Sequence, residues 1–162
     1  MNIGFDMDGV MLPDMAIVFP EDFNEELIPD IDGVLLPKKG AEAFKESVDF
    51  LIKARNLTVP LFNPHNITES FCLITGRPKE DKEGTVLWLA EHGISPTSLY
   101  HDNPDFNKPA EYKASIINGQ GIDIYIESCP KQCAYLKANT KAKILHFADV
   151  LENLFKVSLL AL

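Results

Sequence analysis

From Phe71 onward, short apolar runs alternate with helix-length segments, and this alternation constrains the fold more than any other feature of the chain. Phe71-Cys-Leu-Ile74 is an apolar run that stops at Thr75-Gly76-Arg77-Pro78. Lys79 to His92 follows with helical spacing, Val86, Leu87, Leu89 and Ala90 forming its expected buried side and Gly93 its stop. Ser98-Leu-Tyr100 is the next short strand, and Pro109 to Asn118 the next helix, closed by Gly119. Ile122 to Ile126 is an apolar strand ending at Glu127; Pro130 to Lys137 is helical, Ala142 to Phe147 a strand, and Ala148 to the end a helix. Strands separated by helices at this spacing predict a parallel sheet covered on both faces, an α/β three-layer arrangement of Rossmann-like type.

The first half is less regular. Ile3 to Phe5 is a short apolar run that ends abruptly at Asp6-Met7-Asp8-Gly9. Residues 11 to 39 contain Pro13, Pro20, Pro29 and Pro37, which argue against a long helix there. Gly40 to Ala54 has the spacing of an amphipathic helix, with Ala41, Phe44, Val48, Leu51 and Ile52 on one side. Residues 56 to 68 form a second loop carrying Pro60 and Pro64. The chain of 162 residues fits one domain, within which 11–68 is a proline-rich lid or insert carrying one helix. Phe19, Phe23, Leu27 and Phe62 either line that lid or anchor it to the core.

Composition narrows the partners. A net charge of -9 repels nucleic-acid phosphates at long range, so a broad grip on duplex nucleic acid is not expected. A small phosphorylated metabolite is compatible, because a metal ion and a lysine reverse the field locally. Three cysteines, Cys72, Cys129 and Cys133, are too few for a disulfide scaffold. Cys129 and Cys133 suit one helix face but lack a second Cys/His pair for zinc, and are expected to be partly buried thiols. No basic-plus-apolar leader and no membrane-length apolar run is visible, so a cytoplasmic location is the default expectation. Oligomeric state cannot be read from the sequence.

Parallel sheets of this kind bind ligands beyond the carboxyl ends of their strands. Asp6, Thr75 and Glu127 all fall at such ends. Asp6 and Asp8 are two residues apart; their carboxylates facing one pocket would repel and need a cation or a shared proton. Magnesium takes one or two carboxylates together with substrate phosphate. One carboxylate can then attack phosphorus while the other protonates the leaving group. A plain turn with two aspartates is the alternative for this pair taken alone.

The pair is not alone. Phe5-Asp6-Met7-Asp8-Gly9-Val10 resembles the first motif of the haloacid dehalogenase superfamily, and Leu73-Ile74-Thr75-Gly76-Arg77-Pro78 resembles its second. Lys113 stands where the third-motif lysine is expected, and Ile124-Tyr125-Ile126-Glu127 resembles the fourth. The resemblance implies that Asp6 is the nucleophile forming an aspartyl-phosphate and Asp8 the general acid and base. It implies that Thr75 holds a phosphoryl oxygen, that Lys113 neutralises phosphate and nucleophile, and that Gly76 and Arg77 contact the substrate. Magnesium would be held by Asp6, Asp8 (through its backbone carbonyl) and Glu127. The chain thus reads as a magnesium-dependent phosphomonoester hydrolase; the small 5'(3')-deoxyribonucleotidase-like branch is the most similar, which makes nucleoside monophosphates the first candidate substrates.

Two features depart from a simple match. Ser128 follows Glu127 where many relatives carry a second acid, and this keeps open a weakly active or non-catalytic phosphate- or metal-binding protein. Asp30-Ile-Asp32-Gly33 repeats the first motif, but the charges of Glu25 and Glu26, and Pro29, argue against a buried strand before it. The segment is therefore assigned to a turn, and Asp6 and Asp8 to the chemistry.

Overall fold

The computed structural model describes residues 1–12, 27–29, 35–37, 59–105 and 107–160. Five strands form one all-parallel sheet: β1 (Ile3–Phe5), β4 (Cys72–Ile74), β5 (Ser98–Tyr100), β6 (Ile124–Glu127) and β7 (Lys143–His146), in the spatial order β5-β4-β1-β6-β7. A separate two-stranded sheet pairs β2 (Leu27–Pro29) with β3 (Leu35–Pro37) in antiparallel fashion, Ile28 opposite Leu36. Four α-helices are described: α1 (Lys82–Glu91), α2 (Pro109–Gln120), α3 (Pro130–Asn139) and α4 (Phe147–Leu160).

Side-chain alternation along the strands makes the layers. Ile3, Phe5, Leu73, Leu99, Ile126 and Leu145 point to one face, where they meet Trp88 and Leu89 of α1 and Val150 and Leu154 of α4. Cys72, Ile74, Tyr100, Tyr125 and Ile144 point to the other, against Ala114 and Ile117 of α2 and Cys133 and Leu136 of α3. The expected three-layer α/β arrangement is therefore present. Among the described residues, no helix is long and apolar enough to cross a membrane.

Several expectations need correction. α1 buries only Leu89 of the predicted side: Val86, Leu87 and Ala90 are exposed, while Thr85 and Trp88 are buried beside Leu89. Thr85 tolerates burial because its hydroxyl is hydrogen-bonded, which a pattern of apolar residues cannot register. α2 runs past Gly119 and stops at Gly121, whose φ of +61 gives the left-handed cap that residues with a Cβ rarely adopt. Residues 27–29 and 35–37 are strands although prolines end both; in a two-stranded sheet every strand is an edge, where proline is tolerated. A strand thus does precede Asp30, but it lies outside the parallel sheet.

The two ends of the expected lid belong to the core. Met11 and Leu12 are fully buried. Phe62 packs against Phe5 at 6.1 Å and Phe147 at 5.4 Å between ring centroids, so it is an anchor rather than a lining residue. The expected helix Gly40 to Ala54, the Asp30/Asp32 segment, Phe19 and Phe23 lie outside the described residues.

Candidate active site at the carboxyl edge of the sheet

The chain leaves β1 for β4 and β5 on one side, then returns across the sheet to β6 and β7 on the other. The reversal opens between β1 and β6, the position where open α/β sheets place their ligands. Asp6 follows β1 and its N–H still donates to the Ile126 carbonyl at 2.8 Å, so Asp6 and the end of β6 are held side by side. Glu127 is the last residue of β6 and is fully buried.

Lys113, from α2, reaches between them. Its Nζ lies 2.9 Å from Asp6 Oδ1 and 2.7 Å from Glu127 Oε2. The other Glu127 oxygen accepts the N–H groups of Ser128 and Cys129, both at 3.0 Å. Burial pushes the Lys113 ammonium toward losing its proton, but the Asp6 and Glu127 carboxylates outweigh this and its pKa is raised. Burial first, and then the Glu127 carboxylate, hold the Asp6 pKa well above the usual carboxylate range against the opposing pull of Lys113.

Asp8 is fixed from another direction. Arg77 Nε and Nη2 donate to its two carboxylate oxygens at 2.8 and 2.7 Å, a bidentate fork. The Asp8 backbone carbonyl accepts the Ser128 hydroxyl at 3.0 Å, and the Ser128 carbonyl in turn meets His146 Nε2 at 2.8 Å. Ser128 therefore ties the Asp6–Gly9 turn to the end of β6.

Asp6, Asp8, Gly76, Arg77, Lys113 and Glu127 line one cavity of about 40 Å³. Six of the seven residues singled out in the sequence thus come together. The seventh, Thr75, is fully buried and is not among the residues lining that cavity; its hydroxyl accepts the Arg77 N–H at 3.1 Å. Arg77, expected on the substrate, is turned onto Asp8 and Thr85.

The donors at hand suit a hard cation by charge and type. Three carboxylates, Asp6, Asp8 and Glu127, face two cationic side chains, Lys113 and Arg77, which leaves one negative charge in surplus in a buried place. A bound proton or a cation relieves such a surplus. The three carboxylates are spread over these ion pairs, and among the described residues no three His, Cys, Asp or Glu side chains already converge as a metal set. The Cys129/Cys133 pair takes no part in such a set: Cys133 is buried with its thiol pKa pushed up to about 11, first by burial and then by Glu127.

Sequence reasoning missed two contributors, Thr85 and His101, and read Ser128 only as a departure from the fourth motif. Thr85 Oγ1 accepts from Arg77 Nη1 at 2.9 Å and meets His101 Nε2 at 2.9 Å. His101 directly follows β5, so it stands at the same sheet edge as Asp6, Thr75 and Glu127; a polar residue closing a short strand was the available signal. No protein-family model, no curated protein and no solved structure matches the chain.

Proposed function

We propose that this chain is a magnesium-dependent phosphomonoester hydrolase of haloacid dehalogenase type, in which Asp6 attacks phosphorus. The observation that carries this reading is the Lys113 ammonium held between Asp6 and Glu127, with Asp8 on the same cavity. An ordinary turn aspartate has no need of a buried lysine, and a lone lysine is rarely buried unless paired. Asp6 would form an aspartyl-phosphate as the ester oxygen leaves; Asp8, entering the cycle with a proton bound, would give that oxygen its proton, and the carboxylate so formed would recover one from the water that hydrolyses the intermediate. Lys113 would balance the charge of Asp6 and of the arriving phosphoryl group. Arg77 would keep both oxygens of Asp8 oriented, a role that replaces the direct substrate contact expected for it. Magnesium, when bound by Asp6, the Asp8 carbonyl and Glu127, would supply positive charge to the phosphoryl oxygens. Nucleoside monophosphates are the first substrate class to try.

Phosphate release should be measured over a panel of nucleoside monophosphates, sugar phosphates and p-nitrophenyl phosphate, with magnesium and after chelation. Turnover that needs magnesium is the expected result; undiminished turnover after rigorous chelation rejects the metal-assisted reading. A second reading is favoured by one observation, the Ser128 hydroxyl on the very carbonyl that magnesium would use. Under it, the protein binds phosphate or metal without turning over. It predicts a magnesium- or phosphate-dependent rise in melting temperature with no phosphate released from any ester.

A further inference from the structure

We propose that Thr85 and His101 are positioning residues for Asp8, acting through Arg77: they lock the guanidinium in the one orientation that presents the Asp8 carboxylate to the cavity. The chemical meaning of this rests on the hydrolase reading above, but the arrangement can be tested without turnover.

A guanidinium is a planar fork of five N–H donors with no acceptor. One edge of Arg77, Nε and Nη2, is taken up by both oxygens of Asp8. An arginine held by that edge alone can still tilt together with its carboxylate. The donor on Nη1 removes this freedom, because it is aimed at Thr85 Oγ1, 2.9 Å away on α1. Arginine can only donate, so the threonine oxygen must accept. Its own proton is then available, and His101 Nε2 lies 2.9 Å from the same oxygen. In the neutral tautomer that carries its own proton on Nδ1, the imidazole takes that proton on Nε2. In that tautomer the bonds run in one consistent sense: Thr85 donates to His101, and Arg77 donates to Thr85 and to Asp8. A protonated His101 would break this sense and set a second positive charge beside the guanidinium.

The four residues come from four places in the fold: after β1, after β4, on α1 and after β5. Arg77 is 2% exposed, and Thr85 and His101 are fully buried. Water therefore cannot replace a deleted partner, and each lost bond leaves a buried group unsatisfied. A general acid displaced by a fraction of an ångström loses much of its effect, so rigid support two residues away from the substrate matters to rate.

The chain contains two arginines, Arg55 and Arg77, so the Arg77 Nε–H signal can be assigned in a ¹⁵N NMR spectrum by comparison with Arg55→Lys. In the wild type this signal should be sharp and slow to exchange with water. Thr85→Val, close in shape but unable to accept or donate, should broaden it and speed its exchange. Thr85→Ser should restore it. His101→Gln, which keeps an acceptor, should retain it, whereas His101→Phe should lose it; the histidine pair decides the matter should Thr85→Val fold poorly. In magnesium-dependent hydrolysis of p-nitrophenyl phosphate, Thr85→Val should lower kcat on the order of tenfold with KM nearly unchanged, as outer partners of a catalytic group commonly do. An Arg77 signal unaltered in both Thr85→Val and His101→Phe overturns the proposal, as does equal loss in Thr85→Ser. Should the wild type hydrolyse no phosphomonoester, the hydrolase reading fails, and the Arg77 signal still decides the positioning.

Discussion

The chain carries Asp-x-Asp-Gly twice, and the two copies differ in what precedes them. Asp6-Met-Asp8-Gly9 follows β1, the central strand of a five-stranded parallel sheet, with β4 on one side and β6 on the other. Asp30-Ile-Asp32-Gly33 follows β2, which among the described residues pairs with β3 and lies outside the parallel sheet. The same four-residue pattern therefore follows two different kinds of strand. Beside the first copy, the adjoining strands lead into Arg77 and Glu127, and α2 brings Lys113. A short motif acquires chemistry from the sheet that surrounds it, not from its own letters.

The sharpest way to break this comparison is to remove one carboxylate from each copy. Asp6→Asn should lower magnesium-dependent turnover on the order of a thousandfold, by analogy with other covalent nucleophiles. Asp32→Asn should leave it near the wild-type rate. Steady-state hydrolysis of p-nitrophenyl phosphate by both variants checks this, and the opposite outcome would move the chemistry to the second copy. Because Asp6 stands at a strand end and already carries a surplus of negative charge around it, its amide variant should fold.

A second prediction concerns the two kinds of phenylalanine in and around the expected lid. Phe62 touches Phe5, the residue just before Asp6, so Phe62→Ala should destabilise the fold by roughly 3 kcal/mol, as large aromatic truncations in cores do. It should do so with little change in the ranking of substrates. Phe19→Ala and Phe23→Ala should instead alter that ranking. Thermal melting combined with specificity ratios separates the cases, and unchanged ratios with lowered melting for Phe23→Ala would make that residue an anchor too.

The smallest expected effect is a pH dependence of stability. Burial holds the His101 pKa below the usual histidine value, so the ring is neutral in the fold. Below about pH 6.5 the unfolded chain takes up a proton that the folded chain resists. Stability from this group is therefore complete above that pH and falls away as the pH is lowered toward the folded value. The melting temperature of the wild type should drop more steeply from pH 7.5 to 5.5 than that of His101→Gln. Parallel curves would show that His101 titrates as it does in the unfolded chain. The carboxylates around Asp6 titrate in both proteins and cancel in the difference.

Much of the frame was legible because parallel strands buried on both faces are continuous apolar runs. Ile3 to Phe5 and Ser98 to Tyr100 were read at their observed limits, and other strand ends shifted by one or two residues. The candidate residues at the sheet edge were legible for the same reason: each follows such a run. Strand order was not, since nothing local to Ile124–Glu127 says that it lies beside β1 and not beside β5. The buried face of α1 was misread because polar atoms decide it. Thr85 is buried through bonds to Arg77 and His101, and those partners sit 8 and 16 residues away, beyond any periodicity. Arg77 looked like a substrate contact because its bidentate partner is 69 residues upstream.

The contact between Gly76 and Pro109 has a mechanical consequence. A Cβ at position 76 would stand 2.6 Å from Pro109 Cβ, so the turn after β4 and the first residue of α2 are pressed together with no slack. Arg77 leaves that turn, and Lys113 rides four residues along that helix. The elements that carry the two positive charges of the cavity therefore abut at Gly76. A movement of α2 toward that turn is blocked there. A side chain introduced at Gly76 would therefore disturb both positive side chains of the cavity at once, by forcing the turn and α2 apart.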